Sequence, residues 1–507
     1  MVLQRLYIFL LTGSLALFSA AGFAAEIAGA GESVEETGSA QPSFASALQE
    51  SIRLRGEVDR YRERIVELEL QFGPYDNRLI EPLQGLNDVL LQLQAFDEVD
   101  ANLGRLLMLI RTLEGPVSRT QEPVLEDAIR NDIRRQDWES VSRRFENIYF
   151  LYSQNQSLSP NELLQARDQL IRWHQAALYL DAPARRLQHF LDARELQRQN
   201  LNLATETFGE ESPLLVPWLY RSALQNYQVH AILRSEDELG FDARRAIVGG
   251  FYMDERLREV NDFILSPLPS RGPRDYLVEE QQRALRDALG EVKKIRDIVA
   301  AQGNLEAEAM AMVYEADFQS LWGSGQERRV GGQAGQRGGR VSVAARAYRD
   351  AMEKMADAGL SQQQIEAFFQ RPTVIPQPQF HWRVSEALEA QDANGYLVGN
   401  GESATTHLGR FKAWSKSLPF TASPEVPEVL EASGEQFDDY EIEMSFRLNS
   451  RGQARNRKII KSNIENARIR SDARDAVELL QFRPNFEEGS PSAKDNLRLT
   501  YEIPRYR

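Results

Sequence analysis

Apolar side chains recur at spacings of three and four along much of this chain, and that regularity constrains its architecture more than any other feature. Leu79, Leu83, Leu86, Leu90 and Leu93 form one series, and Leu103, Leu106, Leu107 and Ile110 another. Such spacing marks one face of an α-helix rather than an alternating strand. Helix-favouring Arg, Glu, Gln, Leu and Ala dominate the segment. The series also repeat. Phe72-Gly73-Pro74 opens one unit and Gly115-Pro116 opens the next, 42 residues later. Ala95-Phe96-Asp97-Glu98-Val99 is matched by Asp137-Trp138-Glu139-Ser140-Val141 at the same interval of 42. Pro82, Pro123 and Pro217 mark helix starts, where a missing backbone N–H forfeits no hydrogen bond. Phe96 and Trp138 mark the start of the second helix of a pair and would wedge between helices. A period of about 40 residues, two helices each, predicts a mainly α solenoid of stacked helix pairs.

The pattern resembles the longer tetratricopeptide repeats. A clearer unit lies further on, with Ala307, Ala309, Ala311, Tyr314, Ala316, Leu321 and Trp322 on one helix and Ala344, Ala347, Tyr348, Ala351, Met352 and Met355 on the next. Small faces carrying Tyr at helical spacing are what such pairs use to pack closely. Between them, residues 323–340 are rich in Gly, Arg and Gln and read as an insertion. Lengthening a surface loop costs only about 0.6 kcal/mol per doubling. The repeat region therefore spans 49–371, its last short helix capped by Ser361. Residues 372–434, with Pro372, Pro376, Pro378, Pro419, Pro424 and Pro427, read as linker and irregular chain.

The start of the chain has the form of an export signal. Arg5 precedes an apolar run from Leu6 to Ala21, and Gly22-Phe23-Ala24 supplies small residues for cleavage after Ala24. Sixteen apolar residues make about 24 Å of helix, short of a hydrocarbon core of about 30 Å. The reading is a signal peptide at 1–24, a flexible tether at 25–48 and a periplasmic protein. The alternative is an uncleaved inner-membrane anchor, the only route to membrane contact. There is no cysteine, which removes disulfides, thiolate metal sites and cysteine nucleophiles together. Formal net charge is −15, yet from Tyr440 onward 14 Lys/Arg face 10 Asp/Glu. An acidic body thus carries a basic tail, and two physically different modules are expected. Acidity of the body argues against a nucleic-acid partner.

In the tail the period changes. Ile442, Met444, Phe446 and Leu448 alternate with polar residues as in a half-buried strand. Asn449-Ser450-Arg451-Gly452 makes a turn, with Gly452 free to take positive φ. A second strand runs from Ala454 to about Ile460, and Ile469, Ala473, Ala476, Val477 and Leu480 share a helix face. Phe482-Arg483-Pro484 leaves that helix, with a short strand over 482–486. Glu488-Gly489-Ser490-Pro491 turns, and Leu497, Leu499, Tyr501 and Ile503 alternate in a last strand. This ordered set over 435–507 resembles the TonB C-terminal domain family. The resemblance implies a small α+β domain that binds an extended peptide at a sheet edge, as at outer-membrane transporters. It makes the final strand, Leu497, Arg498, Leu499, Thr500, Tyr501, Glu502 and Ile503, the edge, with Arg498, Thr500 and Glu502 facing water. The chain departs from the energy transducer of that family, because its apolar N-terminal segment holds no histidine and no long Pro-Glu/Pro-Lys spacer follows. The functional expectation is an envelope adaptor linked to outer-membrane transport, with a membrane-anchored transducer as the alternative.

No catalytic residue, metal ligand or cofactor site is expected. His174 beside Trp173 and His381 beside Trp382 lack paired-ligand spacing and read as surface or packed residues. Arg328, Arg329, Arg337 and Arg340 among glycines resemble an RNA-binding tract, but in an exported acidic chain they read as a solvated insertion. Arg451, Arg455, Arg457, Lys458 and Lys461 read as exposed positions of the second strand rather than an anionic-ligand patch. No phosphate loop, dinucleotide fingerprint or nucleophile elbow occurs.

Overall fold

The computed structural model describes residues 44–155, 158–234, 273–327, 337–399, 405–412, 440–487 and 489–503. The chain divides into residues 1–53 and residues 54–507. In the first unit, the described part is the opening of helix α1 (Phe44–Phe72), where Arg53 pairs with Glu50. The expected signal peptide at 1–24 lies outside the described residues. The tether read at 25–48 is helical from Phe44, since Phe-Ala-Ser-Ala-Leu carries no helix breaker.

Helices then follow one another: α2 (Ile80–Gln92), α3 (Phe96–Glu114), α4 (Glu122–Arg134), α5 (Trp138–Ser153), α6 (Pro160–Leu180), α7 (Arg186–Phe208) and α8 (Val216–Arg234). After these come α9 (Pro273–Ala301), α10 (Leu305–Glu327), α11 (Arg337–Asp357) and α12 (Gln362–Phe369). From α2 on, consecutive helices pack on each other. Local chemistry repeats with them. Short 3₁₀ turns precede α2, α4 and α8, each opened by Asp76, Ser118 or Ser212 accepting from a backbone N–H two residues on. Buried Asn102 donates to the Leu83 carbonyl at 2.7 Å, and Asn200 to that of Leu164 at 3.3 Å, so an amide bolts each of these helix pairs together. The insertion read at 323–340 is narrower than its composition implies. Its two ends continue α10 to Glu327 and α11 from Arg337, leaving 328–336 outside the described residues. Each interior glycine costs a helix only about 1 kcal/mol, which neighbouring turns can offset.

The segment read as linker is part of the fold. Residues 372–434 contain β1 (Val374–Ile375), α13 (Val384–Ala393), β2 (Tyr396–Val398) and β3 (Thr406–Lys412), with 413–439 outside the described residues. Then come β4 (Tyr440–Leu448), β5 (Ala454–Ser462), α14 (Ala467–Leu479), β6 (Gln481–Phe482), β7 (Asn485–Glu487), β8 (Ser490–Ser492) and β9 (Lys494–Ile503). The expected strand–strand–helix–strand order is present as β4, β5, α14 and β9. One five-stranded sheet has the order β2-β3-β9-β4-β5, with β3 parallel to β9 and the other pairs antiparallel. β4 buries Ile442, Met444, Phe446 and Leu448 against Ala473, Ala476 and Val477 of α14. Gly452 does adopt positive φ, at +71°, and a Cβ there would fall 1.9 Å from the Phe482 carbonyl oxygen.

One short segment stitches the sheet to the helices. Phe482 sits in the sheet core, its ring 5.5 Å from that of Phe446. Four residues later Phe486 sits in the helical core, 5.6 Å from Tyr348 and 5.7 Å from Phe369. Between them Arg483 makes a two-pronged bond to Asp317 of α10, Nε to Oδ1 at 3.0 Å and Nη2 to Oδ2 at 2.8 Å. Both side chains are buried, and Tyr348 donates its hydroxyl to Asp317 at 2.7 Å. Burial pushes the Tyr348 hydroxyl well above its ordinary range, so it keeps the proton it donates. Phe482 and Arg483 also bond backbone-to-backbone to Gly452 and Thr373.

Candidate functional site

Sequence reasoning placed the site on the last strand, Leu497 to Ile503. That strand does alternate, with Leu497, Leu499 and Tyr501 in the core. It is not an edge. β9 lies between β4 and β3, and the guest position beside it is filled by the chain's own β3, paired from Thr406 opposite Leu497 to Lys412 opposite Glu502. Side chains reinforce the pairing. His407 Nε2 lies 3.2 Å from the Thr500 hydroxyl, and Arg410 pairs with Glu502 at 3.2 Å and with Glu441 at 2.9 Å. Glu502, expected to face water, is buried through that ion pair, and Thr500 is half-buried. Alternation identifies which face of a strand is apolar; it carries no information about which neighbours pair with its backbone.

The sheet's end strands are β2 and β5. β2 has three residues, with Leu397 and Val398 exposed. β5 has nine, and exposes Arg455, Lys458 and Lys461 together with Ile460. Arg457 turns aside to pair with Glu478 of α14. Register slips interrupt the β4–β5 ladder twice, and Asn456 stands at φ +53°. Arg455, Lys458 and Lys461 thus lie at exposed positions of the second strand as read, whereas Arg451 lies in the turn before it and Arg457 is half-buried against Glu478.

The histidines singled out are packed. His174 lies 2.9 Å from His189, nitrogen to nitrogen, and His189 lies 3.0 Å from the Asp181 carboxylate. Burial and the neighbouring ring push His174 down to about 3. His381 accepts or donates at 2.8 Å with the buried Tyr314 hydroxyl. Among the described residues no group of three or more His, Asp or Glu is placed to hold a metal ion, and no helix is long and apolar enough to cross a membrane.

Sequence reasoning missed a polar cleft among α6, α7 and α8. It opens to solvent, and Pro378 forms part of its wall. Asp168 and Arg172 come from α6, Gln197 from α7, and Arg221 and Gln228 from α8. These positions are up to 60 residues apart, so no local motif could have revealed them. Asp168, 6% exposed, receives Arg172 at 2.9 Å and Arg221, both on Oδ2.

Compared with known proteins, the chain matches no family model and no curated protein.

Proposed function

We propose that the protein is an exported, non-catalytic interaction protein of the bacterial envelope. In this reading a tetratricopeptide-like array of helix pairs carries the C-terminal α+β region, and that region receives an extended acidic segment of a partner along β5. One observation carries the reading. β5 is a nine-residue end strand with a row of exposed cations, whereas β9 is interior. An end strand presents backbone groups that a guest strand can satisfy. Cations and bulges on such an edge deter a second copy of the same sheet, and the cations favour an acidic guest. The resemblance of 435–507 to the TonB C-terminal domain and the signal-like first 24 residues support an envelope role.

The test is calorimetric titration of the chain from Ala25 onward with two ten-residue peptides, one alternating Thr and Glu, the other Thr and Lys. The acidic peptide should bind, weaken with added salt, and fail on the double substitution Lys458→Glu, Lys461→Glu. Equal binding of both peptides, binding of neither, or indifference to the double substitution removes the reading.

A further inference from the structure

The cleft among α6, α7 and α8 is independent of the β5 edge and has a chemistry of its own. Of its lining residues only Asp168, Arg172 and Arg221 are charged, so it holds both signs with one positive charge in excess. The groups are built in rather than draped over a surface, since Asp168, Gln197 and Gln228 are all more than nine-tenths buried. Three hydrogen-bonding positions remain unused by the described residues. Asp168 gives only Oδ2 to its two arginines, leaving Oδ1 as an acceptor. Arg221 meets Asp168 through Nη1 alone, leaving Nε and Nη2 as a planar donor fork. Gln197 Nε2 is buried in the cleft wall without a partner, a donor that costs roughly 1–3 kcal/mol while unmatched. Gln175 and Gln228 tie to each other at 2.9 Å across α6 and α8 and hold the wall in place.

We propose that this cleft binds a free α-amino acid, or a zwitterion of that size. A carboxylate acceptor for an ammonium beside a guanidinium fork for a carboxylate is the pattern a zwitterion matches. The unmatched Gln197 amide in the same wall is the donor this proposal assigns to the carboxylate or to a polar side chain. Ile171 and Leu224 supply apolar wall for the Cα and Cβ.

The experiment is thermal unfolding of the chain from Ala25 onward with an equimolar mixture of the twenty amino acids. Parallel runs use the same mixture N-acetylated and the same mixture as carboxamides. The unmodified mixture should raise Tm by about 2 °C or more, and both modified mixtures should leave it unchanged. Separate amino acids then identify the ligand. Arg221→Gln and Gln197→Leu should each weaken binding at least tenfold, and Gln197→Leu removes an unmatched donor, so it keeps the fold if Arg221→Gln does not. No shift with the unmodified mixture, an equal shift with either modified one, or an undiminished response in Gln197→Leu overturns the proposal. Because β5 is untouched, these outcomes are independent of the peptide titration.

Discussion

At the scale of single residues, the most consequential group is one whose chemistry is suppressed. His174 is nearly sealed against the ring of His189, which also neighbours the Trp173 ring. His189 in turn leans on Asp181, which also pairs with Arg185 at 3.7 Å. Burial first, and the His189 ring second, push His174 from its ordinary 6.5 down to about 3. The sign of the linkage follows. Above pH 6.5 both folded and unfolded states hold His174 neutral, and its packing contributes in full. As pH falls from 6.5 towards 3, the unfolded chain takes up a proton that the folded chain refuses, and stability is lost. At 1.36 kcal/mol per unit the loss by pH 4 is on the order of 3 kcal/mol. His174→Gln keeps an amide able to bond His189 and removes the titration. Its urea midpoint, followed by circular dichroism, should therefore fall less steeply between pH 6.5 and 4 than that of the natural chain. Parallel slopes would show that other groups dominate acid unfolding.

At the scale of elements, the helix pairs turn on two residues that no turn signal announces. Gln94 joins α2 to α3 and Gln136 joins α4 to α5, both at φ +56° and 42 residues apart. Both are exposed, so little beyond the backbone conformation is at stake. Left-handed geometry costs an L-residue roughly 1–2 kcal/mol, and glycine escapes that cost while losing some through the entropy of the unfolded chain. Gln94→Gly and Gln136→Gly should each stabilise the array by about 0.5–1 kcal/mol, additively, in chemical denaturation; a loss of stability would mean the glutamine side chains hold the turn. The helices themselves were legible because Leu83, Leu86 and Leu90 or Leu103, Leu106 and Leu107 mark a face by local spacing alone, and glycine at 73, 115 and 209 marks helix ends by its positive φ. Likewise β4, α14 and β9 were legible from alternation and from the Ala473, Ala476 and Val477 face. β2 and β3 were not. β2 has only three residues, and β3 is broken at Gly409, where φ is +105° and a Cβ would fall 2.2 Å from the Asn394 carbonyl oxygen. β3 is held by a parallel pairing to β9 about ninety residues away, and β2 joins the sheet only through β3. Non-local pairing of this kind decides where an edge lies, and hence why the final strand was misjudged as one. The polar cleft was hidden for the same reason, its wall being assembled from three helices.

At the scale of the molecule, helical array and sheet form one structure through 482–486, although their compositions read as separate modules. Phe482 belongs to one core, Phe486 to the other, and Arg483 spans the join to Asp317. A pair of charges so fully removed from water adds little net stability, but removing one partner strands the other at a cost of about 3–5 kcal/mol. Stranded Asp317 would face Tyr348, Phe368 and Phe369 in low dielectric, since the Arg483 guanidinium that now sits 4.8 Å over the Phe368 ring would be gone. The weakest response available to the fold is to release the 482–486 stitch and leave α2 to α5 undisturbed, because their buried apolar side chains belong to a separate core from the one that holds Phe486. Arg483→Met should therefore raise amide hydrogen exchange in β4, β6 and β9 while leaving α2 to α5 as protected as before. Adding Asp317→Asn, which keeps an acceptor for Tyr348 and removes the buried charge, should restore a large part of the protection, with a coupling of about 2 kcal/mol or more in the double-mutant cycle. Uniform deprotection of the whole chain by Arg483→Met would mean that array and sheet unfold as one cooperative unit. An additive cycle would mean that the stitch is held by its two phenylalanines and that the ion pair merely fills the space between them.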